Sequence, residues 1–460
     1  MQINSCYMVA SSDDKTIPIL LISRAMWNTP EEITIQEYDR NCLQAQQFTA
    51  DVGQFVIIHN SIGAISHIYA GQGDGDTKGV VALLATQLPA GLCYQFSPSQ
   101  PINTLLTWAL AQYRYDTFKK NTNNPRKLSL TDAEFQQVLP LVDMVYSVRD
   151  LINAPTNVMG PQQLEDAAHA LAARFHAQVQ VCVGEALLLE NFPAIHAVGR
   201  ASQSLPRLIT LVWGNPTHPR LSLVGKGVCF DSGGLDIKPA QAMRLMKKDM
   251  GGAAHVLGLA NWIMQTQLPV YLEVLIPAVE NAIGADAYRP GDILTMRNGL
   301  TVEIDNTDAE GRLILADALV KACESQPDLL IDFSTLTGAA RVAVGTEISA
   351  LFTPYPELTQ SLQESGERMD DPIWPLPLHQ GYASMLESNI ADLSNCHPSS
   401  YAGATIAALF LQRFITESVA WLHFDIMAWN VVKKPGRPEG GEAMALLALT
   451  DFLKNRYCQG

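Results

Sequence analysis

At 460 residues the chain is too long for one ordinary hydrophobic core, so two domains are expected. A content of 47% hydrophobic and 17% charged residues is that of a globular protein and excludes extensive disorder. The formal charge of −15 argues against general affinity for nucleic acid or an anionic membrane, since both need clustered Lys and Arg.

Eight cysteines are scattered without a CxxC pair, a pattern of free thiols in a reducing compartment rather than of disulfides or a Cys zinc site. The opening stretch lacks a basic segment before a long apolar run, and "IPILLI" has the length of a buried strand. No window reaches the roughly 18 apolar residues needed to cross a bilayer. A cytoplasmic protein without a membrane partner is the expectation.

Residues 1–130 read as a small N-terminal α/β domain, with "IPILLIS", "QFVIIHN" and "GVVALLAT" as short apolar strands. "KKNTNNPRKLSL", residues 119–130, is polar and Asn-rich and reads as a linker or exposed loop. A linker helix is expected over 131–153. Thr131 and Glu134 stand in capping-box relation, and Phe135, Val138, Leu139, Val142 and Val145 follow a helical stripe that Pro140 should kink or break.

From 154 to 460 strand and helix signals alternate. "LITLVWG", "LSLVGKGVCF", "VYLEVLIPAV", "DLLIDFSTL" and "WLHFDIMAW" read as strands, and "GGAAHVLGLANWIMQ" and "GRLILADALVKACES" as helices. The fold class is therefore α/β, the larger domain having a mixed, mostly parallel central sheet flanked by helices. Ligands in such sheets sit beyond the carboxyl ends of strands.

Two charged motifs lie where apolar runs give out. "VGKGVCFDSGGLDIKP" offers Lys226, Asp231, Asp236 and Lys238, and its continuation "QAMRLMKKDMGGAAHVLG" adds Asp249. "NTDAEGR" offers Asp308, Glu310 and Arg312; an extended backbone there would point all three the same way. Several carboxylates sharing a buried pocket need positive charge, which two divalent cations about 3.5–4 Å apart supply. Zinc, manganese and magnesium all accept carboxylates. Taken singly, each residue has a plainer reading. "DAE" is a charged turn, Asp249 a helix cap, His255 a packed histidine and Cys229 a small buried residue. The Gly-rich loop lacks the spacing of a phosphate-binding P-loop.

Together, "GKGVCFDSGGLDIKP", "KKDMGGAAHVLG", "NTDAEGRLILADAL" and "STLTGAA" closely resemble the leucyl aminopeptidase family, the two-metal cytosol aminopeptidases, over about 150–460. The resemblance implies a catalytic domain over 154–460 that releases N-terminal residues, Leu among them, from peptides. It places metal ligands at Lys226, Asp231, Asp249, Asp308 and Glu310, with Asp231 and Glu310 bridging two divalent ions, zinc or manganese foremost. It also places the catalytic pair at Lys238 and Arg312, the latter holding bicarbonate, and substrate contacts at Thr335, Leu336 and Gly338; Met246, between the motifs, reads either as a contact of the first side-chain pocket or as a core methionine. A homohexamer is implied as well. Cys229, Asp236, the ending "MAWN" and the segment "KKPGRPEGGEAMALLAL" depart from the family pattern. They spare the metal positions but bear on the side-chain pocket, so the preferred first residue stays open.

Overall fold

A computed structural model describes residues 5–10, 15–29, 34–75, 77–119 and 124–458. The chain divides into two compact units, Met1–Tyr146 with Val432–Glu439, and Ser147–Val431 with Gly440–Gly460. The division falls inside the helix Asp132–Asn153, which runs through Pro140 without interruption. Thr131 and Glu134 form the expected capping box at its start, the Thr131 N–H donating to Glu134 Oε2 at 2.8 Å and the Glu134 N–H to Thr131 Oγ1 at 3.3 Å. Among the described residues no helix is long and apolar enough to cross a membrane.

The first unit holds a six-stranded sheet in the order Tyr7–Val9, Lys127–Leu130, Cys93–Phe96, Ile17–Ser23, Ile65–Gly73, Phe55–His59. All neighbours are parallel except the last pair. Two sequence expectations fail here. "GVVALLAT" lies in the helix Thr77–Gln87, because Val80, Val81, Leu84 and Ala85 form a helical stripe that a short apolar run does not distinguish from a strand. Of the expected loop at 119–130, residues 120–123 lie outside the described residues. Lys127–Leu130 is an internal strand whose polar surroundings hid two buried leucines, Leu128 and Leu130.

The larger unit is built on a nine-stranded sheet. Its order is Ile373–Pro375, Ser349–Phe352, Trp421–Asp425, Leu329–Ser334, Arg220–Gly225, Tyr271–Asn281, Arg207–Trp213, Gln178–Val183, with Gly227–Asp231 also pairing Tyr271–Asn281. The central strands are parallel, and antiparallel pairs flank them. Burial on both faces explains their nearly continuous apolar character, as in Leu329–Ser334, where every residue is buried. Its buried carboxylate is paired: Asp332 accepts from Trp421 Nε1 at 2.7 Å and meets His423 Nδ1 at 2.6 Å.

The helix Gly251–Gln265 crosses the central strands, and Gly251 to Met264 are buried throughout. Its close approach requires small residues. A Cβ on Gly252 would stand 2.1 Å from Phe333 O and 2.7 Å from Lys226 N, two atoms already joined by a 2.9 Å hydrogen bond between adjacent strands. Backbone cannot give way as a side-chain tip can. Gly252→Ala is expected to cost at least about 1–3 kcal/mol and to lower the apparent melting temperature by at least about 2 °C. An unchanged thermal unfolding curve would contradict this packing.

Candidate metal centre

Parallel strands bring their carboxyl ends together, and the sequence puts polar residues there. Gly227–Asp231 ends on Asp231 and Tyr271–Asn281 on Asn281, Leu329–Ser334 is followed by Thr335, and Trp421–Asp425 ends on Asp425. The expected single strand 221–230 breaks at Lys226, whose N–H donates to Phe333 O while its carbonyl accepts from Ala253 N. This fixes the lysine backbone between a strand and the helix Gly251–Gln265.

Asp231, Asp308 and Glu310 each offer an oxygen, and these lie within 4.8 Å of one another. Asp249 joins through Lys226, whose Nζ stands 2.6 Å from Asp249 Oδ2 and 2.9 Å from Glu310 Oε1. Lys238 Nζ is 2.8 Å from Asp231 Oδ2 and also pairs with Asp308 Oδ1. Six of the seven residues expected to do the chemistry thus form one network. The seventh, Arg312, is buried nearby and donates from Nη1 to Asn395 O at 2.8 Å.

The convergence of "NTDAEGR" does not come from an extended backbone, as expected from its spacing. The Asp308 N–H donates to Asn306 Oδ1 at 2.7 Å, and the helix Glu310–Glu324 then begins, so a turn and a first helical residue aim the carboxylates together. Arg312 therefore points to Asn395 rather than alongside them. Gly311 supplies room: a Cβ there would meet Lys226 Cε at 2.5 Å and Nζ at 2.7 Å. Nor does Asp249 cap the next helix; that position is Met250, and the Asp249 carboxylate accepts from Thr335 Oγ1 at 2.7 Å. His255 is packed, as expected, between Gly251 O and Met444 N, and Cys229 is fully buried.

Electrostatics show how crowded the centre is. Burial, then the charge of Asp231, pushes Glu310 up to about 8 and Asp308 up to about 6. Burial would lower Lys226 and Lys238, but carboxylates overcome it, led by Asp249 for the first and Asp231 for the second, and both lysines are raised. Two ammonium groups thus leave the carboxylates with unrelieved repulsion. An oxygen-rich donor set of this kind fits hard or borderline divalent cations.

The residues expected to contact substrate lie along the chain segments that carry or touch the cluster. Met246 opens the 3₁₀ turn Met246–Met250 that carries Asp249. Thr335 touches Asp249, while Leu336 N–H donates to Asp425 Oδ1 at 2.9 Å, and Gly338 starts the helix Gly338–Val344. Sequence reasoning missed Asn281, whose Nδ2 donates to Asp231 Oδ1 at 2.9 Å and to Thr307 O at 3.0 Å. It missed Tyr288 too, whose hydroxyl donates to Thr307 O at 2.5 Å. The signal for Asn281 was a polar residue ending an apolar strand; Tyr288 carried none. Lys248, beside Asp249, is buried as well; burial, then the charge of Arg341, pushes it down to about 7.

Comparison with known proteins agrees with this geometry. Residues 146–450 match the model of the cytosol aminopeptidase family catalytic domain, and residues 17–131 match the M17 aminopeptidase N-terminal domain. A probable cytosol aminopeptidase of Syntrophotalea carbinolica is 40% identical over 391 residues, covering 81% of this chain and 78% of that protein. One from Mycobacterium bovis is 36% identical over 404 residues, covering 82% and 77%. The crystal structure of the cytosol aminopeptidase from Coxiella burnetii superposes with a TM-score of 0.93 at 44% identity, covering 98% of this chain and 99% of that one. The bottromycin maturation enzyme BotP in complex with Mn gives 0.86 at 29% identity, covering 96% and 99%. A mixed sheet with acidic residues at its carboxyl edge, matched along nearly its whole length by these enzymes, makes the chain a member of the cytosol aminopeptidase family and a peptidase.

Proposed function

We propose that this enzyme removes N-terminal residues from peptides at a two-metal centre held by Lys226, Asp231, Asp249, Asp308 and Glu310. The observation that carries the reading is the crowding of buried carboxylates whose repulsion two lysines do not relieve. Manganese in the structure of the related BotP supports it. Divalent cations, when bound, supply charge neutralisation, polarisation of the scissile carbonyl and acidification of water.

The residues have separable tasks. Lys226, between Asp249 and Glu310, has to give up its proton to act as a ligand. Asp231 and Glu310 are linked through Asn281, which holds Asp231 by a 2.9 Å bond and reaches Glu310 Oε2 at 3.4 Å, so they suit the bridging role. Lys238, at the edge of the cluster, donates to the carbonyl oxygen of the scissile bond as negative charge develops there. Arg312 stays protonated and so is no base; its free Nε would hold an anion such as bicarbonate, which when bound would supply a proton acceptor there. Only an N-terminal residue brings a free amine into this acidic pocket, which accounts for cleavage from the end of a chain.

The same reading extends to a cytoplasmic enzyme assembled as a homohexamer, for which the relatives' cytosolic names and the family resemblance are the support. A sizing measurement returning a species near the 50.2 kDa chain mass rejects the hexamer.

Complete chelation is expected to abolish hydrolysis of Leu-p-nitroanilide, and added manganese or zinc to restore it. Glu310→Ala and Asp231→Ala are each expected to lower kcat by at least ~10³-fold. Protein shown by elemental analysis to be metal-free, yet fully active, ends the proposal. Gly311→Ala is expected to push Lys226 out of place and weaken metal binding at least about tenfold in a competition titration. Unaltered metal affinity in this variant would remove Lys226 from the ligand set.

A further inference from the structure

Two cations beside the carboxylate cluster lack partners. Lys248 is 2% exposed, yet its ammonium makes no hydrogen bond or ion pair with any described residue. Arg341 likewise has no such bond among the described residues, and its Nη1 is buried. Arg341, Asp249, Lys226 and Asp425 are the charges that act on Lys248. The two carboxylates are already engaged. Asp249 takes the Thr335 hydroxyl at 2.7 Å and Lys226 at 2.6 Å. Asp425 takes Leu336 N at 2.9 Å, Thr337 N at 3.1 Å and the Thr337 hydroxyl at 2.6 Å. Burying like charges without a counterion is costly, so a site of this kind is built for an anion that comes and goes.

Helical geometry places the pair against the substrate. In the 3₁₀ turn Met246–Met250, about three residues per turn put Met246 and Asp249 on one side and the two lysines on opposite flanks. Lys247 takes one flank, donating to Asn153 O at 2.6 Å with its ammonium 5.4 Å from the Trp429 ring centroid. Lys248 takes the other, near enough to Arg341 for that charge to act on its ammonium. On the helix Gly338–Val344, Gly338 and Arg341 are three apart and share a face, and Arg341 Nη2 lies 3.6 Å from where a Gly338 Cβ would stand. The cations thus border the wall formed by Met246, Thr335 and Gly338, which the proposed function assigns to the first substrate residue.

We propose that Lys248 and Arg341 form a carboxylate-binding subsite for the side chain of the substrate's first residue, so that the enzyme accepts N-terminal Glu and Asp as well as apolar residues. A guanidinium holds a carboxylate through two parallel hydrogen bonds, and the ammonium adds a third donor. The free amine of such a substrate meets the acidic cluster while its side-chain carboxylate meets the cations. The inference rests on the aminopeptidase reading above.

The test uses metal-loaded enzyme and compares kcat/KM for Glu-, Leu- and Lys-p-nitroanilide. Glu-p-nitroanilide is expected within about tenfold of Leu-p-nitroanilide, and the Glu/Leu ratio is expected to fall at least about tenfold in Arg341→Gln and in Lys248→Met. Arg341→Glu is expected to raise the Lys/Glu ratio. A wild-type enzyme that cleaves the Leu substrate but is more than about a hundredfold slower on Glu overturns the subsite, as does a ratio indifferent to both neutral variants. Activity on none of the three overturns the aminopeptidase reading and the subsite with it. The free carboxyl of a dipeptide is the rival source of the anion. If Arg341→Gln slows Leu-Gly and spares Leu-glycinamide, the cations read the end of the peptide and the proposal is wrong. Melting separates a binding lysine from a structural one: Lys248→Met is expected to raise Tm by about 2 °C by removing an unpaired buried charge, and a lower Tm overturns the unpaired-cation argument.

Discussion

Repulsion among buried carboxylates is the constraint to which the larger unit is fitted. Asp231, Asp249, Asp308 and Glu310 arrive from three separate stretches of chain, and none could be buried so close to the others without compensating charge. Lys226 and Lys238 provide part of it, each spanning two carboxylates. Their grip depends on room rather than on strength. Gly311 leaves space for the Lys226 side chain, and Gly252 lets a helix approach its backbone. The glycines of both motifs therefore belong to the electrostatics of the centre as much as the charged residues do.

A second requirement is that loops carrying like charges stay where they are. Thr307 does much of this. Its hydroxyl donates to Gly233 O at 2.7 Å and its N–H to Asp236 Oδ2 at 2.8 Å, while its carbonyl accepts from Asn281 and Tyr288. Three segments, the 233–236 loop, Asn281 and Tyr288, are thereby pinned to one residue outside the charged cluster. Because all but the Asp236 bond are made by neutral groups, these pins hold whether or not the carboxylates of the cluster are compensated.

Much of this was legible in the sequence, and the reason differs by feature. The motif residues were readable because chemistry forces their types and because "GKGVCFDSGG", "KKDMGGAA" and "NTDAEGR" are each contiguous. The Gly251–Gln265 helix and the central strands followed from period and apolar run length. "GVVALLAT" misled because eight apolar-rich residues suit either a strand or a helix, and only the partner packed against it decides. Lys127–Leu130 misled in the opposite way, since an edge of polar residues masked a buried pair of leucines. Val432–Glu439 returns to the first unit from deep within the sequence of the second, a long-range placement with no local signal. Asn281 and Tyr288 escaped for the same reason: their value lies in what they reach, 26 and 19 positions away.

The departures from the family pattern acquire physical meaning in this setting. Asp236 adds a carboxylate near an already acidic centre, which on charge alone should weaken it, yet its oxygen is spent on the N–H of Thr307. Its charge thus helps pin the loop that aims Asp308. The "MAWN" ending acts on the other side. Trp429 and Asn430 pair with Gly441 and Gly440, and the Trp429 ring lies near the Lys247 ammonium, which donates to Asn153 O. These two departures therefore leave the acidic centre intact, Asp236 by pinning its loop and Trp429 by lying against Lys247.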